Sequence, residues 1–459
     1  MSVTPVTVRV PVQLREYDKN QEKLWEDIGL GEKRPLSSED CELEEKLRKA
    51  GIVEINTLNN GKGVRIKAYS YVGSVSFSTF DLQIRPKFEQ INDQTLATLL
   101  AYAFGFDDLK KFDEQDSNDP FFVDILIHWL LEIVYTIQRR GLFQQYRKER
   151  RDLSVIRGKI DLKTWMRRGM IPSEKMPCVF YRRSLDNVLN QTLLAGLRLG
   201  VAIAKSPKFK SKCGLLAEDF AMSVSEKTLD RQMLAAARRS LNRLNTPYEK
   251  AVNIIELLYN GSGGFIFGGS SQEQIRIPGF FFNMNVLFEK FIGEFLERNL
   301  EGEEWKVKLQ CARRVFYDED NIHCGTIKPD IVVYNKTTKM RYVLDTKYRD
   351  IKKMLRLKPN VDSSQKRRDL SVLYQLGIYA LACSNAHKDD VKRRSIIIYP
   401  GDEQSKLSRR VLMQSVSKKE KKELCEITLR PVDLVKMVEW INTSDEEMKK
   451  YALELIGEK

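Results

Sequence analysis

The segment Thr326–Tyr348, TIKPDIVVYNKTTKMRYVLDTKY, constrains the fold more than any other part of the chain. Its two apolar runs, Ile331–Tyr334 and Tyr342–Leu344, are too short for helices, and the polar stretch Asn335–Lys339 separates them, so they predict a β-hairpin. Before it, Asn283–Leu300 places Leu287, Phe288, Phe291 and Phe295 on one side of a predicted helix. Trp305–Tyr317 reads as a strand, Ser371–Ala382 as a helix and Ser395–Tyr399 as another strand. The expected order is α-β-β-β-α-β, the core of an α/β unit.

Side chains two apart on a strand share a face, so Asp345 and Lys347 should project together while Thr346 points away. Asp330 opens the neighbouring strand after Pro329, a residue tolerated at a strand start, and the turn can bring it alongside Asp345. Two carboxylates flanking an apolar hairpin are costly to bury unpaired, and a hard divalent cation compensates them. An all-oxygen ligand set favours magnesium, with manganese as the alternative, over zinc. A lysine beside that cation can hold or deprotonate a water for attack on a phosphodiester.

This is the PD…(D/E)xK pattern of restriction-endonuclease-like nucleases, here Pro329-Asp330 and Asp345-Thr346-Lys347. Alone it arises by chance, and a strand-start Asp with an exposed Asp–Lys pair is the structural alternative. Three features add to it: Glu289 on the preceding helix as a further acid, Gln375 and Tyr379 spaced like the QxxxY motif of RecB-type members, and the element order. The following stretch, 349–368, has eight basic and two acidic side chains. With Lys352, Lys353 and Arg356 it is placed to grip a DNA backbone without reading bases, unless it is only a solvated loop.

Elsewhere the 459 residues divide into three expected regions. Residues 1–110 read as a mixed α/β domain, with β segments at Val6–Val12, Val64–Phe77 and Phe80–Phe88, and a helix between Ser37-Ser38 and Gly51. Residues 111–260 read as mainly helical, from apolar spacing in Phe121–Gln138, Leu185–Ala204 and Leu229–Leu244. The glycine- and serine-rich NGSGGFIFGGSS, Asn260–Ser271, marks the joint to the nuclease-like domain, 261–459. The net charge of +14 is uneven: 151–250 holds 20 basic against 9 acidic residues, and 351–400 holds 11 against 4. Such blocks attract polyanions, nucleic acid above all, or serve only solubility.

No glycine-rich stretch continues into Lys followed by Ser or Thr, so no P-loop is present and this chain is not expected to bind a nucleotide itself. Seven cysteines, Cys41, Cys178, Cys213, Cys311, Cys324, Cys383 and Cys425, lie singly, which predicts neither a zinc ribbon nor a disulfide framework. With no secretory signal, and an apolar stretch Phe121–Ile137 interrupted by Asp124, His128 and Glu132, the expectation is a cytoplasmic protein that does not contact membrane. That i, i+4, i+8 stripe reads as a polar helix face or hydrogen-bond set rather than a metal site, and His323-Cys324 as local packing.

Taken together, the chain resembles the McrC subunits of McrBC-type modification-dependent restriction systems. The likeness rests on Tyr71-Val72-Gly73, Gln83-Ile84-Arg85-Pro86-Lys87, Ile156-Arg157-Gly158-Lys159-Ile160 and Leu189-Asn190. In the C-terminal part it rests on Met284–Phe291, Pro329-Asp330, Asp345–Lys347 and Tyr374–Ala380, so that it covers most of 60–400. It implies a magnesium-dependent endodeoxyribonuclease subunit acting on DNA that carries modified cytosine. The implied partner is an McrB-like hexameric AAA+ GTPase, docked through the N-terminal part and stimulated in its GTP hydrolysis. Dimerisation through the nuclease domain would fit such a subunit. By analogy Asp330, Asp345 and Lys347 are catalytic, with Asp330, Asp345 and Glu289 as metal ligands; Gln375 and Tyr379 position the helix or contact DNA. A stand-alone RecB-like repair nuclease and a catalytically silent DNA-binding or assembly scaffold are the rival readings. Arg85-Pro86-Lys87 by itself is most simply a strand exit with solvated charges.

Overall fold

The computed structural model describes residues 10–17, 21–24, 36–58, 63–106, 122–169, 174–264, 279–349, 374–379, 393–401, 409–414 and 423–458, apart from 301, 303, 318, 320–322 and 376. The chain is a mixed α/β protein.

The N-terminal part contains β1 (Val10–Arg15), β2 (Gln21–Leu24), α1 (Ser38–Lys49), β3 (Val53–Thr57), β4 (Gly63–Ala68), β5 (Tyr71–Ser76) and β6 (Phe80–Arg85). Helix α1 starts where Ser37 accepts the Asp40 amide at 3.1 Å and stops before Gly51, whose φ of +67° suits glycine. Strands β2, β4 and β3 form one antiparallel sheet. Strand β6 lies between β1, which it pairs in parallel, and β5. Of the expected first strand, Val6–Arg9 lies outside the described residues.

Next come α2 (Asp93–Phe104), α3 (Phe122–Arg140), β7 (Gln145–Leu153), β8 (Lys159–Ile160), α4 (Leu162–Arg167), β9 (Met176–Ser184), α5 (Val188–Ile203), α6 (Pro207–Ala221), α7 (Arg231–Ser240) and α8 (Thr246–Tyr259). Helices α3, α5 and α7 appear where apolar spacing predicts them, α2, α4, α6 and α8 lie outside those segments, and the region is not simply helical. Strands β7, β9 and β8 form a three-stranded antiparallel sheet within it. The local sequence hides this sheet because β7, QYRKERRDL, buries none of its residues. With no apolar face there is no periodicity to read, and backbone pairing alone defines the strand. Gly158 in the RGK segment is required: its φ is +73° and a Cβ would lie 2.4 Å from the Val179 carbonyl oxygen.

The C-terminal part contains β10 (Gly279–Asn283), α9 (Met284–Asn299), β11 (Trp305–Leu309), β12 (Arg313–Tyr317), β13 (His323–Ile327), β14 (Ile331–Asn335), β15 (Arg341–Thr346), β16 (Arg393–Pro400), β17 (Arg409–Gln414) and β18 (Glu423–Val432). Two helices, Leu434–Thr443 and Asp445–Ile456, follow. The main sheet has the order β11-β14-β15-β16-β18-β17. The expected hairpin is β14–β15, antiparallel, and β15 pairs with β16 in parallel, as a crossover connection requires. The single strand expected at Trp305–Tyr317 is two strands, parted near Gln310 at φ +50°. Strand β11 edges the main sheet, and among the described residues β12 pairs only with β13.

Strand β10 does not belong to the main sheet. It pairs with β5 as the fourth strand of the N-terminal sheet, so close that a Cβ on Gly73 would sit 1.9 Å from the Phe280 carbonyl oxygen. Phe281 enters the N-terminal core beside Leu47, Ile66 and Phe80. A second core runs from Leu126, Leu193 and Ile255 of the middle helices through Phe291 to Val333, Leu344 and Ile456. The middle and C-terminal parts therefore share one core across residue 261, and burial of such side chains stabilises by roughly 1.5–3 kcal/mol each.

Candidate active site

Strand β15 carries the candidate site at its C-terminal end. Ile331 pairs with Leu344, and continuing that antiparallel register by one residue sets Asp330 opposite Asp345. Asp330 is fixed there because its Oδ2 accepts the Thr346 amide at 2.8 Å and the Thr346 hydroxyl at 2.9 Å. The intervening threonine, which strand alternation turns away from Asp345 and Lys347, is thus the anchor of the first carboxylate. The Lys347 amide donates to the Ile398 carbonyl at 2.9 Å, tying the exit of β15 to β16.

Asp345 is 1% exposed, and neither carboxylate oxygen has an aligned hydrogen-bond partner. Its Oδ2 lies 2.6 Å from Lys347 Nζ, so the two side chains project together as strand alternation requires. Burial pushes the Asp345 carboxyl up to about 6, with Lys347 opposing and Asp330 reinforcing the shift. Glu289, half-buried on α9, is pushed up to about 7 by burial first and then by Asp330 and Asp345. The three acids are therefore within electrostatic reach of one another. Two buried oxygens with no aligned donor suit a hard cation, which would supply the missing positive charge. Among the described residues no three His, Cys, Asp or Glu side chains are grouped closely enough to hold a metal ion, so Glu289 is linked to Asp330 and Asp345 by electrostatics and not by a closed ligand set.

On the helical residues after the hairpin, Gln375 Nε2 donates to Tyr379 Oη at 2.6 Å, and Tyr379 Oη reaches the Lys328 carbonyl at 3.4 Å. Tyr379 is buried against Ile327 and Val343. Both residues therefore brace the strand entry that carries Asp330, two residues after Lys328. Lys352, Lys353 and Arg356 lie outside the described residues.

Other sequence candidates fall elsewhere. Asp124 is 3% exposed and accepts the Lys205 and Ser206 amides at 3.0 Å each, a structural hydrogen-bond set. Asn190 is wholly buried, donating to the Phe143 and Leu185 carbonyls and accepting from Tyr248. Cys324 is exposed on β13. Lys87 is not a solvated charge: its side chain is 17% exposed and lies over the Tyr348 ring, 4.2 Å from the centroid. Nothing in the local sequence could pair residues 87 and 348.

A family model described as McrBC 5-methylcytosine restriction system component matches residues 66–400. The chain belongs to this family. No curated protein matches it. Among solved structures, the chain is similar to one from a half-complex of the tetradecameric assembly of Thermococcus gammatolerans McrB AAA+ hexamers with bound McrC. The two are 20% identical, with a TM-score of 0.59, over 97% of this chain and 100% of that one. A chain of the Thermococcus gammatolerans McrBC complex matches at 21% identity and TM-score 0.43, over 64% of this chain and 88% of that one. Within this McrBC family member, the matched span runs from β4 to the end of β16 and includes Asp330, Asp345 and Lys347. No described helix is long and apolar enough to cross a membrane.

Proposed function

We propose that this chain is the nuclease subunit of an McrBC-type restriction complex, a magnesium-dependent endodeoxyribonuclease with a restriction-endonuclease-like core. It acts on DNA carrying modified cytosine when assembled with an McrB-like hexameric AAA+ GTPase, whose GTP hydrolysis it stimulates. The observation that carries this reading is the buried Asp345 carboxylate, lacking an aligned donor, held against Lys347 and opposite Asp330.

Asp345 and Asp330, with Glu289 beside them, would hold Mg2+ or Mn2+, which when bound supplies Lewis-acid stabilisation of charge on the scissile phosphate. Thr346 keeps Asp330 oriented. Lys347 Nζ, a quarter exposed and tethered to Asp345, is placed to orient an attacking water and to exchange a proton with it at Nζ. Gln375 and Tyr379 hold the strand entry so that the two acids stay opposed. The exposed basic strand β7 is suited to a polyanionic or acidic surface, whether the DNA backbone or a face of the partner.

The decisive experiment is plasmid cleavage with magnesium on methylated and unmethylated DNA, with and without the candidate GTPase and GTP, comparing wild type with Asp345→Ala. Cutting by wild type only, dependent on partner and GTP, is expected. Equal cutting by both proteins overturns the site, and efficient cutting without partner or GTP favours a stand-alone nuclease.

A further inference from the structure

Lys87 leaves the N-terminal sheet at the end of β6 and reaches the exit of β15. Its ammonium donates to the carbonyl oxygen of Tyr348, the residue directly after Lys347. It lies over the rings of Tyr348 at 4.2 Å, Tyr17 at 4.8 Å and Phe88 at 5.1 Å, and 4.0 Å from Glu16 Oε1. Tyr17 holds a left-handed backbone, φ +63°, unusual for an aromatic residue, at the turn that brings its ring to this cage. Glu16 is 2% exposed with both oxygens unpartnered by hydrogen bonds, and burial raises its carboxyl while Lys87 opposes the rise. The aromatic faces and the Tyr348 carbonyl therefore carry much of the work of holding the cation.

The cage also touches the other side of the site. The Tyr348 ring packs between Phe88, at 5.3 Å, and Phe288, at 5.7 Å, and Phe288 immediately precedes Glu289. The same N-terminal sheet contributes β10, which leads without a break into α9, with Asn283 capping the helix through the Asn285 amide at 2.9 Å. One sheet thus holds two catalytic elements, β15 through Lys87 and α9 through β10.

We propose that Lys87 is a positioning residue for Lys347: by clamping the carbonyl and ring of Tyr348 it fixes the strand exit that presents the lysine to Asp345. The N-terminal sheet thereby sets whether the cutting centre is assembled. This rests on the nuclease reading above. A group placed about 1 Å from its productive position can cost on the order of a hundredfold in rate.

The test uses the chain assembled with its candidate GTPase, GTP, magnesium and methylated plasmid. Lys87→Met keeps the aliphatic stem and removes the donor and charge. Its kcat should fall about ten- to a hundredfold. The DNA concentration at half-maximal rate, GTPase stimulation and melting temperature should stay near wild type, and Lys87→Arg should recover much of the rate. A wild-type kcat for Lys87→Met overturns the proposal, as does a loss matched by lower GTPase stimulation and melting temperature, which would make Lys87 structural glue. If Lys87→Met does not assemble, Tyr17→Leu removes one partly exposed face of the cage: a fall in kcat of about threefold at constant KM supports the clamp, and an unchanged kcat overturns it. Absence of magnesium-dependent cutting by wild type, or equal cutting by Asp345→Asn, instead sinks the nuclease reading itself and is read before any Lys87 variant.

Discussion

The hairpin β14–β15 and the pair β7–β9 are both antiparallel, yet they are held together by opposite means. In β14–β15 nine of eleven strand residues are buried, and the strands are fixed by packing on both faces. In β7 no residue is buried, and the pairing with β9 relies on the ladder and on surface contacts such as Arg183 to the Tyr146 hydroxyl at 3.0 Å. A desolvated strand can hold a carboxylate such as Asp345 away from water, with its pKa raised and Lys347 as its ion-pair partner. A solvated strand cannot do that, but it can present a row of cations to a partner. On the proposed function, chemistry and contact fall to different sheets.

The sharpest way to separate them is Asp345→Asn. Cutting should fall about a thousandfold or more while the fold persists, since the acid is the centre of the proposed metal site; assays of cleavage and circular dichroism check this. Removing packing instead of charge should reverse the pattern. Leu344→Ala, one residue away, should cost about 2–5 kcal/mol in denaturant unfolding. Replacing Arg147, Lys148, Arg150 and Arg151 together with Ala should leave stability nearly unchanged, because exposed positions count for about 0.5 kcal/mol or less each. It should weaken association with DNA or the GTPase. For DNA, the slope of log affinity against log salt should flatten by about one for each phosphate the variant no longer neutralises. Unchanged binding to both partners at low and high salt would break the contrast between the two sheets.

A further effect is on stability against pH. Burial raises Asp345 from the ordinary 3.8 to about 6, so between those values the folded chain keeps a proton that the unfolded chain has released. Stability therefore falls as pH rises through that window and stays reduced above it. Asp345→Asn removes the penalty and should raise the melting temperature at pH 8, by the equivalent of up to about 3 kcal/mol, while changing little near pH 3. Added magnesium should raise the wild-type melting temperature at pH 8 and leave that of Asp345→Asn unmoved.

Much of this is legible in the sequence. The hairpin, helix α9 and the facing of Asp345 and Lys347 follow from local periodicity, which depends only on neighbours along the chain. Strand β7 is not legible, because its pattern carries no apolar period. Thr346 as the anchor of Asp330 escapes for a related reason: alternation says which face a side chain takes, not that its amide and hydroxyl meet a carboxylate sixteen residues earlier. The boundary near residue 261 reflects composition, and glycine-rich composition says nothing about which core the following strand will enter.

The sequence by itself determined the chemistry available: two acids and a lysine on an apolar hairpin, a third acid on a helix, and no phosphate-binding loop. Those follow from residue identity and the two short-range periods of the backbone. Only the tertiary structure decided that β10 joins the N-terminal sheet and that Lys87 meets Tyr348 across 261 residues of chain. Contacts of that span depend on how whole sheets pack, and packing energy is shared among many side chains, so no local pattern encodes it.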